Sequence, residues 1–111
     1  MLKKVSFEFK KKKFEFYAVS CGFFSTGLIL RSKDTIPCVF EFKKPVNFRI
    51  SSLFVLFPFV AVWLDNKNKI VDIKIVKPFN FAIFPKKSFS KILEIPINEK
   101  YKEEIKLLVG D

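Results

Sequence analysis

The chain contains no histidine. Serine–histidine–aspartate and cysteine–histidine sets are therefore excluded in their usual form, and so is zinc held through imidazole. Glycine is nearly as scarce: Gly22, Gly27 and Gly110 stand apart, so there is no glycine-rich phosphate loop and nucleotide hydrolysis of that type is excluded. Two cysteines, Cys21 and Cys38, are too few for a thiolate zinc site and lack C-x-x-C spacing. They also fall far short of the density of a secreted disulfide scaffold. Both are expected to be small buried hydrophobes, and whether they pair is left open. The longest apolar run, Leu53 to Leu64, has twelve residues and is interrupted by Pro58. A membrane-spanning helix needs roughly 20 residues to cross a bilayer of about 30 Å, so no transmembrane segment is expected. Met-Leu-Lys-Lys passes directly into alternating Val5, Phe7 and Phe9 with no signal-peptide core between. The expectation is a soluble, cytoplasmic protein without a cofactor.

What the chain does have is apolar bulk and positive charge. Of 111 residues half are hydrophobic and 16 are phenylalanine, which is enough to seal one core and argues for a single domain over 1–111. The formal charge is +10, from 21 basic and 11 acidic side chains. Such an excess attracts nucleic acid, anionic lipid or acidic protein without choosing among them. Nineteen of the basic residues are lysine and only Arg31 and Arg49 are arginine, the better two-pronged reader of phosphate and guanine. Abundant Lys, Phe, Ile and Asn is also what an AT-rich genome encodes, and Lys with Glu enrichment accompanies hyperthermophily.

Alternation with a period of two marks strands. Val5, Phe7 and Phe9 form one side of a first hairpin and Phe14, Phe16 and Ala18 the other. A four-residue turn at Lys10–Lys13 would set Phe9 against Phe14 and Phe7 against Phe16, at the cost of opposing Glu8 to Glu15. From Ser20 to Arg31 the pattern breaks and a loop is expected. A second hairpin is read from Cys38–Phe42 and Val46–Ile50 around a turn at Lys43, Lys44 and Pro45, and a third from Phe59–Leu64 and Ile70–Val76 around Asp65–Lys69. The Leu53–Leu64 run is apolar at every position, so both faces of its strand must be covered. Pro58 belongs at the start of that strand or at a bulge. Phe89–Ile95 reads as a last strand. Asn98 can then cap a closing helix with Tyr101, Ile105 and Leu108 on one face and Gly110 as its stop. The fold class is mainly β: a small barrel or sandwich of hairpins with a short C-terminal helix.

An ordered series of segments resembles a known family. Gly27–Arg31 is followed by Phe57–Asp65, then Ile70–Ile73, Lys77–Pro78, Ile92–Pro96 and the closing Val109, Gly110 and Asp111. This series is similar to the archaeal branch of domain-of-unknown-function family 192 (DUF192), over about Tyr17 to Asp111. The resemblance implies a compact β-rich domain and no established activity. Two departures stand out: Val60 occupies a position that is usually Asp, and Ser51–Val55 replaces the polar Trp-Met-x-Asn-Thr cluster of bacterial members. A polar site built from those groups is expected to be missing or reduced.

Three kinds of chemistry remain open. Asp65 or Asp72 could meet Asp34 or Glu94 in a carboxylate site, although Asp65 suits a turn cap and Asp72 an outward strand position. Arg31 could clamp Asp34, Glu41 or Glu94, or bind an anionic ligand. Lys10, Lys11, Lys12, Lys13, Lys43, Lys44, Lys86 and Lys87, with Lys67 and Lys69, all fall at expected turns and could gather into a basic rim. With exposed aromatics such as Phe79 or Phe81 beside it, that rim would suit single-stranded RNA or DNA. The leading expectation is a non-enzymatic module that binds a macromolecule or an anionic ligand. RNA or ribosome association, or an acidic protein partner, is the alternative within binding, and an enzyme using Arg31 and a carboxylate is the alternative outside it.

Overall fold

Each face of β4, Phe59–Leu64, is apolar, and the computed structural model shows what each one meets. Val60, Val62 and Leu64 enter one core with Phe7, Phe14, Phe16 and Leu93, while Phe59, Ala61 and Trp63 enter a second with Cys38, Phe89 and Ile92. All six residues of the strand are buried, as a doubly covered strand requires. The structure describes residues 2–21, 35–47, 57–78 and 83–110.

Around β4 the other strands are β1 (Leu2–Phe9), β2 (Lys12–Cys21), β3 (Cys38–Val46), β5 (Ile70–Val76) and β6 (Phe89–Pro96). They form one six-stranded sheet in the order β1-β2-β3-β6-β4-β5. The protein is mainly β. Its end strands, β1 and β5, approach each other without a ladder between them, so the sheet curls but is not closed. A 3-10 turn, Glu99–Tyr101, leads into α1, Lys102–Val109, which lays Tyr101, Ile105 and Leu108 on the first core. Asn98 accepts from the Tyr101 N–H at 3.3 Å, and the Gly110 N–H closes on the Lys106 carbonyl at 2.9 Å. Gly110 takes a φ of 81°, a conformation that favours glycine at a helix stop. The closing helix and its Gly110 stop are as expected from the sequence, whereas Asn98 caps the 3-10 turn that leads into α1, whose own N-cap, Tyr101, has no side-chain cap.

The first hairpin forms in a different register. Its turn has two residues, Lys10 and Lys11, both with positive φ of 51° and 66°, as a type I′ turn demands. Phe7 therefore faces Phe14, Val5 faces Phe16, and Glu8 faces Lys13. The longer turn would have set Glu8 against Glu15; the shorter one replaces that repulsion with an attraction and stacks Phe7 on Phe14 at 5.5 Å between ring centroids.

The second hairpin is not there. Lys43, Lys44 and Pro45 lie within β3, which continues to Val46 along β6 with a register shift between Glu41 and Val46. Pro45 lacks a ladder donor, and an irregular stretch of strand accommodates it as well as a turn would. Phe48 and Ile50 fall outside the described residues. The third hairpin stands as read, with Pro58 immediately ahead of β4. Strand β2 runs further than the loss of alternation suggests, to Cys21. Val19, Ser20 and Cys21 there pair in parallel with Cys38, Val39 and Phe40 of β3.

Candidate functional site

The lysines expected at turns come first, because charge is the chain's largest asset. Lys10, Lys11, Lys12, Lys13, Lys43, Lys44, Lys86 and Lys87 are all exposed. Among the described ion pairs Lys3 joins Glu41, Lys4 joins Glu15 at 2.6 Å, Lys74 lies 3.9 Å from Asp72 and Lys91 lies 3.7 Å from Glu41. Of these eight lysines Lys13 alone approaches a carboxylate among the described residues, Glu15 at 3.9 Å. Only Lys10 and Lys11 of the first hairpin and Lys86 and Lys87 lie outside the strands; Lys12 and Lys13 begin β2 and Lys43 and Lys44 lie in β3, contrary to the expectation that all fall at turns. All eight are nonetheless exposed and, apart from Lys13, make no described ion pair. Lys10 lies over the Phe9 ring at 5.3 Å and Lys12 over Phe14 at 6.0 Å, which orients the hairpin tip without neutralising it.

Near the tip a groove of about 490 Å³ runs between the two end strands. Phe9 stands on one side, Ile70, Ile73 and Ile75 of β5 on the other, and Lys86 and Val109 at its borders. The groove thus draws the first hairpin, the Lys86 loop and the end of α1 around one opening. Phe84, 54 % exposed, is two residues from Lys86 and places a free aromatic face beside that loop. Phe79 and Phe81 lie outside the described residues, as do Arg31 and Asp34.

The carboxylates are placed differently from one another. Asp65 Oδ1 accepts from the Lys67 N–H at 2.8 Å and the Lys69 N–H at 2.9 Å, so it caps the β4–β5 turn, and the Lys69 N–H bond chiefly holds its carboxyl below the usual range. Asp72 is not outward: it is 7 % exposed and accepts from the backbone N–H groups of Ile73 and, at 3.0 Å, Lys86. Burial there is satisfied by two donors that tie the Lys86 loop to β5. Glu41 is engaged by Lys3 and Lys91. No group of three His, Cys, Asp or Glu side chains with metal-holding geometry occurs among the described residues.

Glu94 has no such donors among the described residues. It lies in the middle of β6, 7 % exposed, directly between Cys38 of β3 and Ala61 of β4. Burial pushes its carboxyl up to about 7. One step along the same face is Trp63, fully buried, whose indole N–H has no hydrogen-bond partner among the described residues. Beside Glu94 the two cysteines are not separate hydrophobes: a disulfide joins Cys21 to Cys38. Strands β2 and β3 bring them together across 17 residues of sequence, a parallel pairing that spacing alone does not reveal.

No family model and no curated protein matches the chain. Among solved structures the chain is similar to a protein of unknown function from Novosphingobium aromaticivorans DSM 12444, with a TM-score of 0.76 at 13 % identity, over 92 % of this chain and 77 % of that one. At that identity the likeness concerns the fold. No helix among the described residues is long and apolar enough to cross a membrane.

Proposed function

We propose that the protein is a non-enzymatic binding module that holds an anionic macromolecule or ligand on its exposed lysines. The observation that carries this reading is the division of labour among the lysines. Lys3, Lys4, Lys13, Lys74 and Lys91 find carboxylates, whereas Lys10, Lys11, Lys12, Lys43, Lys44, Lys86 and Lys87, on strands and turns alike, are exposed and make no described ion pair. An ammonium that is already solvated and unpaired gives up little when a phosphate or carboxylate arrives, and its counterions are released. Membership in DUF192 and a cytoplasmic location belong to the same proposal. The β-rich fold agrees with the first.

A single-stranded nucleic acid is the favoured occupant within this reading, because Phe84 offers a stacking face two residues from Lys86 and three from Lys87. The test is fluorescence anisotropy with a labelled single-stranded RNA and with a labelled acidic peptide of equal charge. The expected result is tighter binding of the RNA, weakened by Phe84→Ala and by combined Lys86→Glu and Lys87→Glu changes. Equal affinity for both probes, unaffected by Phe84→Ala, would remove the nucleic-acid reading, and no binding of either at low salt would remove the module itself.

A further inference from the structure

We propose that Cys21 and Cys38 form a redox-active disulfide that exchanges with a thiol, with the Cys21 sulfur as the atom attacked and Glu94 as the proton donor and acceptor for Cys38. This is separate from the exposed lysines and stands without them.

Three placements carry it. The two sulfurs differ in access: Cys38 has no exposure, whereas Cys21, at the end of β2, is only partly buried. Glu94 sits opposite Cys38 in the β3–β6 ladder, a pairing that brings side chains of one face to about 5 Å at Cβ. And among the described residues Glu94 makes no hydrogen bond or ion pair, burial being the cause of its raised carboxyl. By register the described titratable groups nearest Glu94 on that face are Cys21 and Cys38 on one side and, beyond Ala61 and Trp63, Lys74 and Asp72 of β5, with Tyr17 and the paired Glu15 and Lys4 further out on β2 and β1. Asp72 is held by the Ile73 and Lys86 N–H groups, and Lys74 bonds the Phe84 carbonyl.

A thiolate released inside an apolar site is poorly solvated, so breaking the bond is slow unless a proton reaches Cys38 as its sulfur leaves. A buried carboxyl titrating near neutrality can supply that proton and take it back. The sequence of bonds is then as follows. The thiolate of a low-molecular-weight thiol attacks Cys21 Sγ, the Cys21–Cys38 bond breaks, and the electron pair goes to Cys38 Sγ, which takes the proton of Glu94. A second thiolate attacks the outer sulfur of the mixed disulfide and releases the Cys21 thiolate, which is protonated by solvent. One protein disulfide and two thiols become one protein dithiol and one small disulfide, and Glu94 regains its proton from water.

The experiment follows reduction of the native protein by dithiothreitol on both sides of pH 7, with alkylation and mass spectrometry as the readout and circular dichroism as the check on folding. Rates are divided by the thiolate fraction of the reductant. The expected result is reduction of the folded protein, with a corrected rate that falls as pH rises through 7. Glu94→Gln should lose that inflection and react about tenfold or more slowly below it. Glutathione disulfide should label Cys21 in Cys38→Ser but leave Cys38 unlabelled in Cys21→Ser. Reduction only as fast as global unfolding, or an unchanged pH profile in Glu94→Gln, would overturn the proposal. That profile serves even if a cysteine variant fails to fold.

Discussion

Glu94 shows how much one side chain can say about the conditions a fold prefers. Its folded carboxyl titrates at about 7 against 4.5 for the free group. Between those values the folded chain holds a proton that the unfolded chain has lost, so stability falls as pH rises through that window and is flat on either side. Two and a half units correspond to about 3 kcal/mol, less whatever relaxation lets water reach the carboxylate. Urea unfolding of the wild type should therefore give a lower midpoint above pH 7 than below 4.5, after the contribution of the surface carboxylates is removed by comparison with Glu94→Gln. The variant should lack this slope; an identical slope in both proteins would place the titration elsewhere. Asp65 has the opposite sign. Hydrogen bonds from the backbone hold its carboxyl down, so its contribution is present above 3.8 and fades as pH falls through its lowered folded value.

Among the elements, the first hairpin is the most instructive. Two lysines in the left-handed region are an unusual choice, since Asn-Gly fits that turn at far lower steric cost. Replacing Lys10 and Lys11 together by Asn and Gly should stabilise the fold by about 1 kcal/mol, read as a rise in melting temperature. A fall would mean that the turn is not the two-residue one. The same pair shows where sequence reading succeeds and fails. Alternation in Val5–Phe9 and Phe14–Ala18 is set by burial on one face, so the strands were legible; the turn length was not, because Lys10 and Lys11 carry no glycine or asparagine signal. Strand β4 was legible because both faces are apolar, and α1 because Asn98 caps the 3-10 turn leading into it and Gly110 marks its stop. The outward assignment of Asp72 failed because its partner, the Lys86 N–H, is 14 residues away. The continuation of β3 through Pro45 failed because Lys43, Lys44 and Pro45 resemble a turn, and only the long-range ladder to β6 shows otherwise. The disulfide was hidden for the same reason, depending on a parallel pairing of β2 with β3 that no local pattern encodes.

At the scale of the whole molecule, the sheet spends its apolar side chains on two cores and leaves Lys10, Lys11, Lys12, Lys43, Lys44, Lys86 and Lys87 exposed, with no described ion pair. A chain with a charge of +10 repels itself, and an anionic partner would relieve that repulsion as well as contact the lysines. Affinity should then be governed by counterion release, with each lysine that meets a phosphate contributing to the steepness with which binding weakens in salt. The most direct measurement is the dependence of the association constant for single-stranded RNA on salt concentration, for the wild type and for a variant with Lys10, Lys11, Lys12 and Lys13 changed to Glu. The expected result is a steep negative slope of log K against log salt in the wild type that becomes shallower in the variant. A slope near zero, or one that the four changes leave untouched, would contradict the assignment of binding to the exposed lysines.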